Sequence, residues 1–187
     1  TSALASRIKG WVTSRVIAAL WIATPCTSFS RARRPALRDR DHVFGFPNLS
    51  VHDQAQVDLG NLGFEFTIDL IRHCVAHNCP VVFENPHSSM LWLAPALSEL
   101  VSQGERVVLD YCQYGMPWRK RTQLVGWNIG ARLQCLARRC SAQGPCSRTG
   151  IPHHTLQGSD PVTRLKWTAL ACPYPKQLCR AVSRVLI

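Results

Sequence analysis

The chain has few acidic residues for its content of basic ones. Its 187 residues include 11 Asp and Glu against 22 Lys and Arg, a formal net charge of +11. The imbalance lies at one end, because residues 1–111 carry ten residues of each sign, whereas residues 112–187 carry 12 basic residues and one acid, Asp160. A basic part joined to a neutral part predicts a polyanionic partner such as nucleic acid, although a basic surface without a specific partner would have the same composition.

Long hydrophobic runs are absent as well. No stretch of 18 apolar residues occurs, so the sequence predicts no membrane-spanning segment and no membrane partner. The apolar run at residues 16–23 follows basic residues as in a signal peptide, but its short length and the Thr-Pro-Cys that follows favour a buried strand. Hydrophobic residues make up 46% of the chain and charged residues 18%, which excludes a disordered protein.

The nine cysteines include no Cys-x2-Cys pair. An odd number in a chain of this size indicates reduced thiols, so we expect an intracellular protein, nuclear if eukaryotic and otherwise cytoplasmic. Three of the cysteines and a histidine of the basic tail could bind zinc, and free cysteines in a basic loop are the alternative. His153 and His154 are not distinguished by spacing. The predicted ligands are Cys135, Cys140, Cys146 and His154.

Short apolar segments alternate with helical ones along the first two thirds of the chain. This alternation predicts an α/β fold with a Rossmann-like, mostly parallel sheet, in which ligands gather beyond the carboxyl ends of the strands. We expect a catalytic core at residues 1–127, a small irregular basic Cys/His module at 128–167 and a returning C-terminal helix at 168–187. The predicted strands are 16–23, 80–84, 106–111 and 121–127, and the predicted helices are 61–78, 95–103 and 173–187.

Two candidate catalytic residues lie at predicted strand ends. Cys26 follows the first strand, and the nearby Arg31, Arg33 and Arg34 would lower the pKa of its thiol and favour the nucleophilic thiolate. The alternative is a small buried side chain. Glu84 ends the second strand after three apolar residues, so partial desolvation would favour its protonated form and allow it to donate a proton. The alternative is a surface or capping carboxylate.

A third motif combines a turn with two arginines. Tyr114-Gly115-Met116-Pro117 precedes a predicted strand, and strand alternation places Arg119 and Arg121 on one face. Two guanidinium groups on one face could clamp a phosphate or a base edge. The alternative is a solvated edge strand whose charges prevent aggregation.

In their order along the chain, the three motifs resemble those of the DNA (cytosine-5) methyltransferases. The matching residues are Pro25-Cys26, then Glu84-Asn85, then Tyr114-Gly115-Met116-Pro117 followed by Arg119 and Arg121. The resemblance implies that the Cys26 thiolate attacks C6 of a cytosine in DNA and that Glu84 protonates N3. It also implies that Arg119 and Arg121 help hold the base and that S-adenosylmethionine, beside Pro25, supplies a methyl group to C5.

The sequence departs from that family at the cofactor. No Phe-x-Gly-x-Gly loop follows a first strand, and Thr27 stands where the family usually has Gln. We therefore expect a C-terminal catalytic portion that lacks the N-terminal half of the sheet, either as a fragment or as a degenerate relative.

If it binds zinc, the resemblance implies that the basic tail occupies the place where that family carries its DNA-reading region. A catalytically inactive nucleic-acid-binding protein with a zinc-stabilised module is the main alternative, and an RNA methyltransferase of the same chemistry is another. The residues expected to contact phosphates are Arg31, Arg33, Arg34, Arg132, Arg138, Arg139 and Arg148.

Overall fold

The computed structural model describes residues 2–141 and 143–186. Helices and strands alternate over most of the chain, which confirms the predicted α/β class. Three 3-10 turns join them, at Met90–Leu93, Tyr111–Tyr114 and Gly130–Leu136. The helices and strands are α1 (Ser2–Thr13), β1 (Leu20–Ile22), α2 (Val51–Ala76), β2 (Val81–Pro86), α3 (Pro95–Gln103), β3 (Glu105–Asp110), β4 (Arg121–Trp127), α4 (Trp167–Leu170) and α5 (Lys176–Leu186).

The four strands form one open sheet in the order β1-β2-β4-β3. β1 and β2 are parallel, whereas β4 runs antiparallel to both of its neighbours. The sheet is therefore mixed, and the prediction of a mostly parallel sheet holds only for the β1–β2 pair. The link between β3 and β4 at residues 111–120 explains the difference, because it contains only a 3-10 turn and is too short for a helical crossover.

The first strand is shorter and less buried than predicted. Only Leu20–Ile22 pairs with β2, and all three residues are half-buried, while Val16 is 71% exposed. β1 lies at the end of the sheet order, so one of its two edges has no strand beside it among the described residues. A continuous apolar run thus marks an edge strand here, not a fully buried one.

Two hydrophobic clusters lie on opposite sides of the sheet. Val81 and Phe83 of β2 pack with α2 and α3, while Val82, between them in sequence, packs with α5. This is the alternation expected of a strand covered on both faces. It also places Glu84, two residues after Val82, on the α5 side of the sheet.

The long helix α2 begins at Val51, not near Asn61 as the hydrophobic spacing predicts. Ser50 caps it by accepting a hydrogen bond from the Asp53 N–H at 3.1 Å. The unpredicted helix α1 packs against α2, where Lys9 pairs with Asp69. Although α2 has 26 residues, no helix in the described part of the chain combines the length and the apolar character needed to cross a bilayer.

A buried arginine anchors the long loop between β1 and α2. Arg38 is 6% exposed and lies over the Phe29 ring, with 3.7 Å from its guanidinium carbon to the ring centre. Burial lowers its pKa to about 10, so it remains charged at neutral pH. Its guanidinium donates to the carbonyls of Ser28, Val43 and Val57 and to Oδ1 of Asn61.

The loop approaches α2 so closely at Gly60 that a side chain has no room there. A Cβ at this position would collide with the Ser28 hydroxyl and lie 3.0 Å from Nη2 of Arg38. Loop and helix are thus packed as one unit, and the loop that contains Cys26 has a fixed support.

We expect Arg38→Met to lower the free energy of unfolding by about 3 kcal/mol, because the change removes the guanidinium donor from the loop carbonyls of Ser28 and Val43. Urea denaturation of the two proteins measures the difference. Arg40→Met is the matched control, since Arg40 is exposed on the same loop, and it should change stability by less than about 0.5 kcal/mol. Equal losses in the two variants would show that Arg38 does not anchor the loop.

Candidate functional site

The loop after β1 brings Cys26 to the rim of the sheet beside β2. Asn85 of β2 donates from Nδ2 to the Thr24 carbonyl at 2.8 Å, and the Thr24 hydroxyl is hydrogen-bonded to that of Thr67 in α2. The Phe29 N–H donates to the Cys26 carbonyl at 3.0 Å and closes the turn. These bonds hold the Pro25-Cys26 segment in a fixed position relative to the second motif.

Glu84 is a buried carboxyl group, only 6% exposed. Its Oε2 accepts a hydrogen bond from the Tyr174 hydroxyl at 2.8 Å, and the Tyr174 oxygen accepts one from Nε1 of Trp21 at 3.3 Å. Burial raises the pKa of Glu84, against the opposing effects of Tyr174 and Lys120. The predicted desolvation is confirmed, and Glu84 is not a surface carboxylate.

Cys26 lies within electrostatic reach of Glu84. Burial raises the pKa of the Cys26 thiol, the Glu84 charge raises it further, and Lys120 opposes both. The prediction of a lowered pKa was therefore wrong. Desolvation and the nearby carboxylate both disfavour a thiolate, and together they outweigh the single cation that lies close by.

The arginines expected to surround Cys26 have other partners. Arg33 pairs with Asp53 of α2 at 2.9 Å, and Nε of Arg31 contacts the sulfur of Met90 at 3.3 Å. Arg34 donates to the backbone carbonyls of Arg31 and Arg33. None of these three arginines is among the groups that affect the pKa of Cys26, which burial and the Glu84 charge raise.

The segment before β4 divides its three cations between two sides. Arg121 makes a bidentate pair with Asp110, at 2.9 and 3.0 Å, and Nε of Arg119 lies 3.5 Å from the same carboxylate. The prediction that the two arginines share a face is confirmed. They are placed with Asp110, however, and not with Cys26 and Glu84.

Lys120, between the two arginines, is the cation on the Cys26 and Glu84 side. Its Nζ donates to the Ala171 carbonyl at 2.9 Å and lies 4.8 Å from the centre of the Tyr111 ring. The sequence analysis missed this residue, although the same alternation that pairs the arginines sends Lys120 to the opposite face. It also missed Tyr174, which the Pro173–Pro175 turn presents to Glu84.

Three thiols and an imidazole meet beyond the end of β3. The potential ligand atoms of Cys112, Cys140, Cys146 and His153 all lie within 4.8 Å of one another, and the three thiols are buried. This Cys3His cluster could hold a metal ion such as zinc.

Two members of the predicted zinc set, Cys140 and Cys146, belong to the cluster, and the other two do not. Cys135 is exposed on the 3-10 turn Gly130–Leu136, and Cys112 takes its place. His154 packs on the Trp167 ring, with 3.9 Å between ring centres, so its neighbour in sequence contributes the imidazole. Spacing along the chain could not reveal Cys112, which lies before β4.

The sulfur atoms of the cluster are surrounded by N–H groups. Gln113 approaches the Cys112 sulfur at 3.5 Å, and the Ser147 N–H donates to the Cys140 sulfur at 3.4 Å. Burial acts to raise the pKa of Cys146, but N–H groups of the residues after it outweigh that effect and lower it. Burial raises the pKa of Cys112 to about 12.

A basic pocket of about 490 Å³ opens beside the cluster, lined by Arg119, Arg121, Arg139, Cys140, Ser141 and Ser147. The other tail arginines expected to contact phosphates have exposed side chains, but each of them also contacts another residue of the protein. Arg132 and Arg148 donate to the carbonyls of Ile129 and Cys112, and Arg138 lies over the Tyr114 ring. Of the predicted phosphate-binding residues, only Arg139 lines this pocket.

A second cavity, of about 530 Å³, separates the Cys26 loop from α2. Pro25, the residue assigned to the cofactor, lines it together with Leu59, Leu62 and Phe66. The lining includes no Asp, Glu or Lys. The polar groups that line the cavity belong to Thr24, Thr27, Ser28 and Gln56. Because it lacks the acidic residue that commonly binds the ribose hydroxyls of a nucleoside cofactor, this lining gives no support to a site for S-adenosylmethionine.

Comparison of the chain with family models, with curated proteins and with solved structures finds no match. The function must therefore be argued from the geometry of the site.

We expect alkylation of Cys26 to follow a titration whose midpoint lies above the ordinary thiol pKa. Glu84→Gln should lower that midpoint, because it removes a negative charge that disfavours the thiolate, and Lys120→Gln should raise it. Iodoacetamide labelling over a pH series, resolved by peptide mass spectrometry, measures the Cys26 rate separately from the other thiols. Lys166→Gln is the control, because Lys166 is an exposed cation that is not among the groups affecting the Cys26 pKa, and a shift as large as that of Lys120→Gln would exclude a local effect.

Proposed function

We propose that Cys26, Glu84 and Lys120 activate cytosine for substitution at C5, by the chemistry of the DNA (cytosine-5) methyltransferases that the sequence resembles. The observation that supports this proposal is that a half-buried thiol and a buried carboxyl group from two separate motifs lie within electrostatic reach of each other, and that burial raises the pKa of that carboxyl group. A nucleophile beside a general acid is what addition to a pyrimidine ring requires.

In the proposed step the Cys26 sulfur bonds to C6 of the ring, and N3 gains a proton from Glu84. The thiol proton passes to the Glu84 carboxylate, so the proton that N3 gains balances the one that sulfur loses. The electron pair of the C5–C6 double bond then makes C5 nucleophilic. Reversal breaks the C6–S bond and returns the proton.

Lys120 takes the part that the resemblance implies for the two arginines. It is the one cation that affects the pKa of both Cys26 and Glu84 in the described structure. A positive charge there stabilises the thiolate as it forms. The Ala171 carbonyl holds the ammonium group in place, so the position of the charge does not depend on a mobile side chain.

We infer that the substrate is DNA and that its backbone enters the pocket lined by Arg119, Arg121 and Arg139. Several guanidinium groups around one concave surface suit a phosphate, which accepts bidentate hydrogen bonds. The target base must leave the helical stack to reach Cys26, at a cost of a few kcal/mol in a duplex and less in a single strand.

We also infer that the four strands are one half of a Rossmann-like sheet. The outer edge of β1 is where further strands would add, because β1 pairs only with β2 among the described residues. The methyl donor of the family, S-adenosylmethionine, needs residues other than those that line the cavity beside Pro25. For this chain we therefore propose activation of the base and not the transfer of the methyl group.

The covalent step can be tested without a methyl donor. We expect the chain to form a denaturation-resistant adduct with single-stranded DNA that contains 2-pyrimidinone in place of cytosine, because this ring lacks the 4-amino group and accepts a thiolate more readily. Cys26→Ser should abolish the adduct, and Glu84→Gln should slow its formation by about 10²- to 10⁴-fold. Gel electrophoresis under denaturing conditions measures the yield over time.

Cys172→Ser is the matched control, since Cys172 is an exposed thiol that lies near enough to affect the Cys26 pKa. It should leave the adduct intact. An adduct that persists in Cys26→Ser would remove Cys26 from the nucleophile role. DNA binding with no adduct in the unmodified protein would favour the inactive nucleic-acid-binding alternative.

The phosphate pocket makes a separate prediction about salt. Arg139→Gln should weaken duplex DNA binding and flatten the dependence of log Kd on log salt concentration by about 0.9, the contribution of one lost phosphate contact. Fluorescence anisotropy over a salt series measures the slope. Arg72→Gln, an exposed change on α2, should leave the slope unchanged. An unchanged slope in Arg139→Gln would exclude the pocket, and tighter binding to RNA than to DNA would favour an RNA substrate.

A further inference from the structure

The Cys3His cluster has nearly the dimensions of a tetrahedral zinc site. Zinc binds thiolate sulfur at about 2.3 Å and histidine nitrogen at about 2.0–2.1 Å, which places sulfur atoms about 3.8 Å apart and sulfur and nitrogen about 3.5 Å apart. The Cys140 sulfur and Nε2 of His153 lie 3.6 Å apart, and no two ligand atoms are further apart than 4.8 Å. A small contraction of the cluster would bring all four atoms onto one ion.

We propose that Cys112, Cys140, Cys146 and His153 bind one zinc ion in a structural site. Four protein ligands fill a tetrahedral shell and leave no position for water or substrate, which is typical of structural zinc. Thiolate and imidazole ligands favour zinc over magnesium or calcium, which prefer oxygen. The inference does not depend on the proposed chemistry at Cys26.

The surroundings of the sulfur atoms suit thiolates. The Ser147 N–H and hydroxyl both approach the Cys140 sulfur at 3.4 Å, and Nε2 of Gln113 lies 3.5 Å from the Cys112 sulfur and 3.8 Å from the Cys146 sulfur. Gly150, with a φ of +70°, lets the chain turn back so that its N–H reaches the Cys146 carbonyl at 2.8 Å. Donors around the ligands orient them and stabilise their charge in metal sites.

The ion would supply the core that this part of the chain lacks. Between Leu136 and Trp167 the described residues form no helix and no named strand, and their buried side chains are Cys140 and Cys146 alone. Of the apolar side chains of that segment, Leu156 is only half-buried against the core, and Ile151, Val162 and Leu165 are exposed. A loop of this length needs a cross-link such as a metal ion to hold one conformation. Both of its buried residues are proposed zinc ligands.

The same ion would fix one wall of the basic pocket. Cys140 lies between Arg139 and Ser141 in sequence, and all three line the pocket. The Cys140 N–H donates to Oδ2 of Asp110 at 2.8 Å, the oxygen that also accepts from Nη2 of Arg121. Loss of the ion should therefore loosen the pocket wall while leaving the sheet folded.

Metal analysis of the purified full chain should find one zinc per molecule. Replacement with cobalt should produce the intense visible bands and the thiolate charge-transfer band of a tetrahedral sulfur-containing site. Cys112→Ser and His153→Ala should reduce zinc affinity by at least about 100-fold. Cys135→Ser and His154→Ala are matched controls, which should keep full zinc because Cys135 is exposed and His154 packs on Trp167.

Chelation of the unmodified protein provides a test that does not require the variants to fold. Removal of zinc should accelerate alkylation of Cys112, Cys140 and Cys146 and expose residues 137–166 to protease, and added zinc should reverse both effects. The proposal is overturned if the protein contains no zinc and these thiols react equally fast with and without chelator, or if Cys135→Ser or His154→Ala loses the metal. Zinc binding without a Cys26 adduct would uphold the metal site and reject the catalytic proposal alone.

Discussion

One buried carboxylate, Asp110 at the end of β3, joins the sheet to the basic segment and the Cys3His cluster. It is fully buried, pairs with Arg121 and Arg119, and accepts the Cys140 N–H. Burial alone would raise the pKa of Asp110, but the hydrogen bonds and charges of these partners lower it. The group stays ionised, and its removal would leave guanidinium groups without a partner at a cost of several kcal/mol.

The pairing at Asp110 also determines what lies on the other side of the segment. Because side chains alternate in an extended chain, two arginines directed at Asp110 leave Lys120 directed away from it. Lys120 consequently affects Cys26 and Glu84. The three consecutive cations thus belong to two places, with the arginines in the basic pocket on one side and Lys120 near Cys26 and Glu84 on the other.

The sequence predicts the bounds of two elements in the middle of the chain better than those near its N-terminus. β4 and α3 have the predicted bounds, because apolar runs end at clear turn residues. The first turns of α2 bury only Val57, so hydrophobic spacing could not place the start of that helix at Val51. Cys26 and Glu84 come to the same rim of the sheet because β1 and β2 are parallel neighbours. The metal ligands come together because an irregular loop folds back, and no periodicity in the sequence predicts that.

Two buried carboxylates in one small sheet have opposite electrostatic environments. Asp110 is neutralised by two arginines and its pKa falls, as expected of a group that holds a structure together. Glu84 has a tyrosine hydroxyl and a more distant Lys120, and its pKa rises. A raised pKa in a buried carboxyl group is the shift that the proton transfer we propose for Glu84 would use, whereas the lowered pKa of Asp110 suits an ion pair. The opposite directions of the two pKa shifts follow from the partners of each group, two arginines for Asp110 and a tyrosine hydroxyl for Glu84.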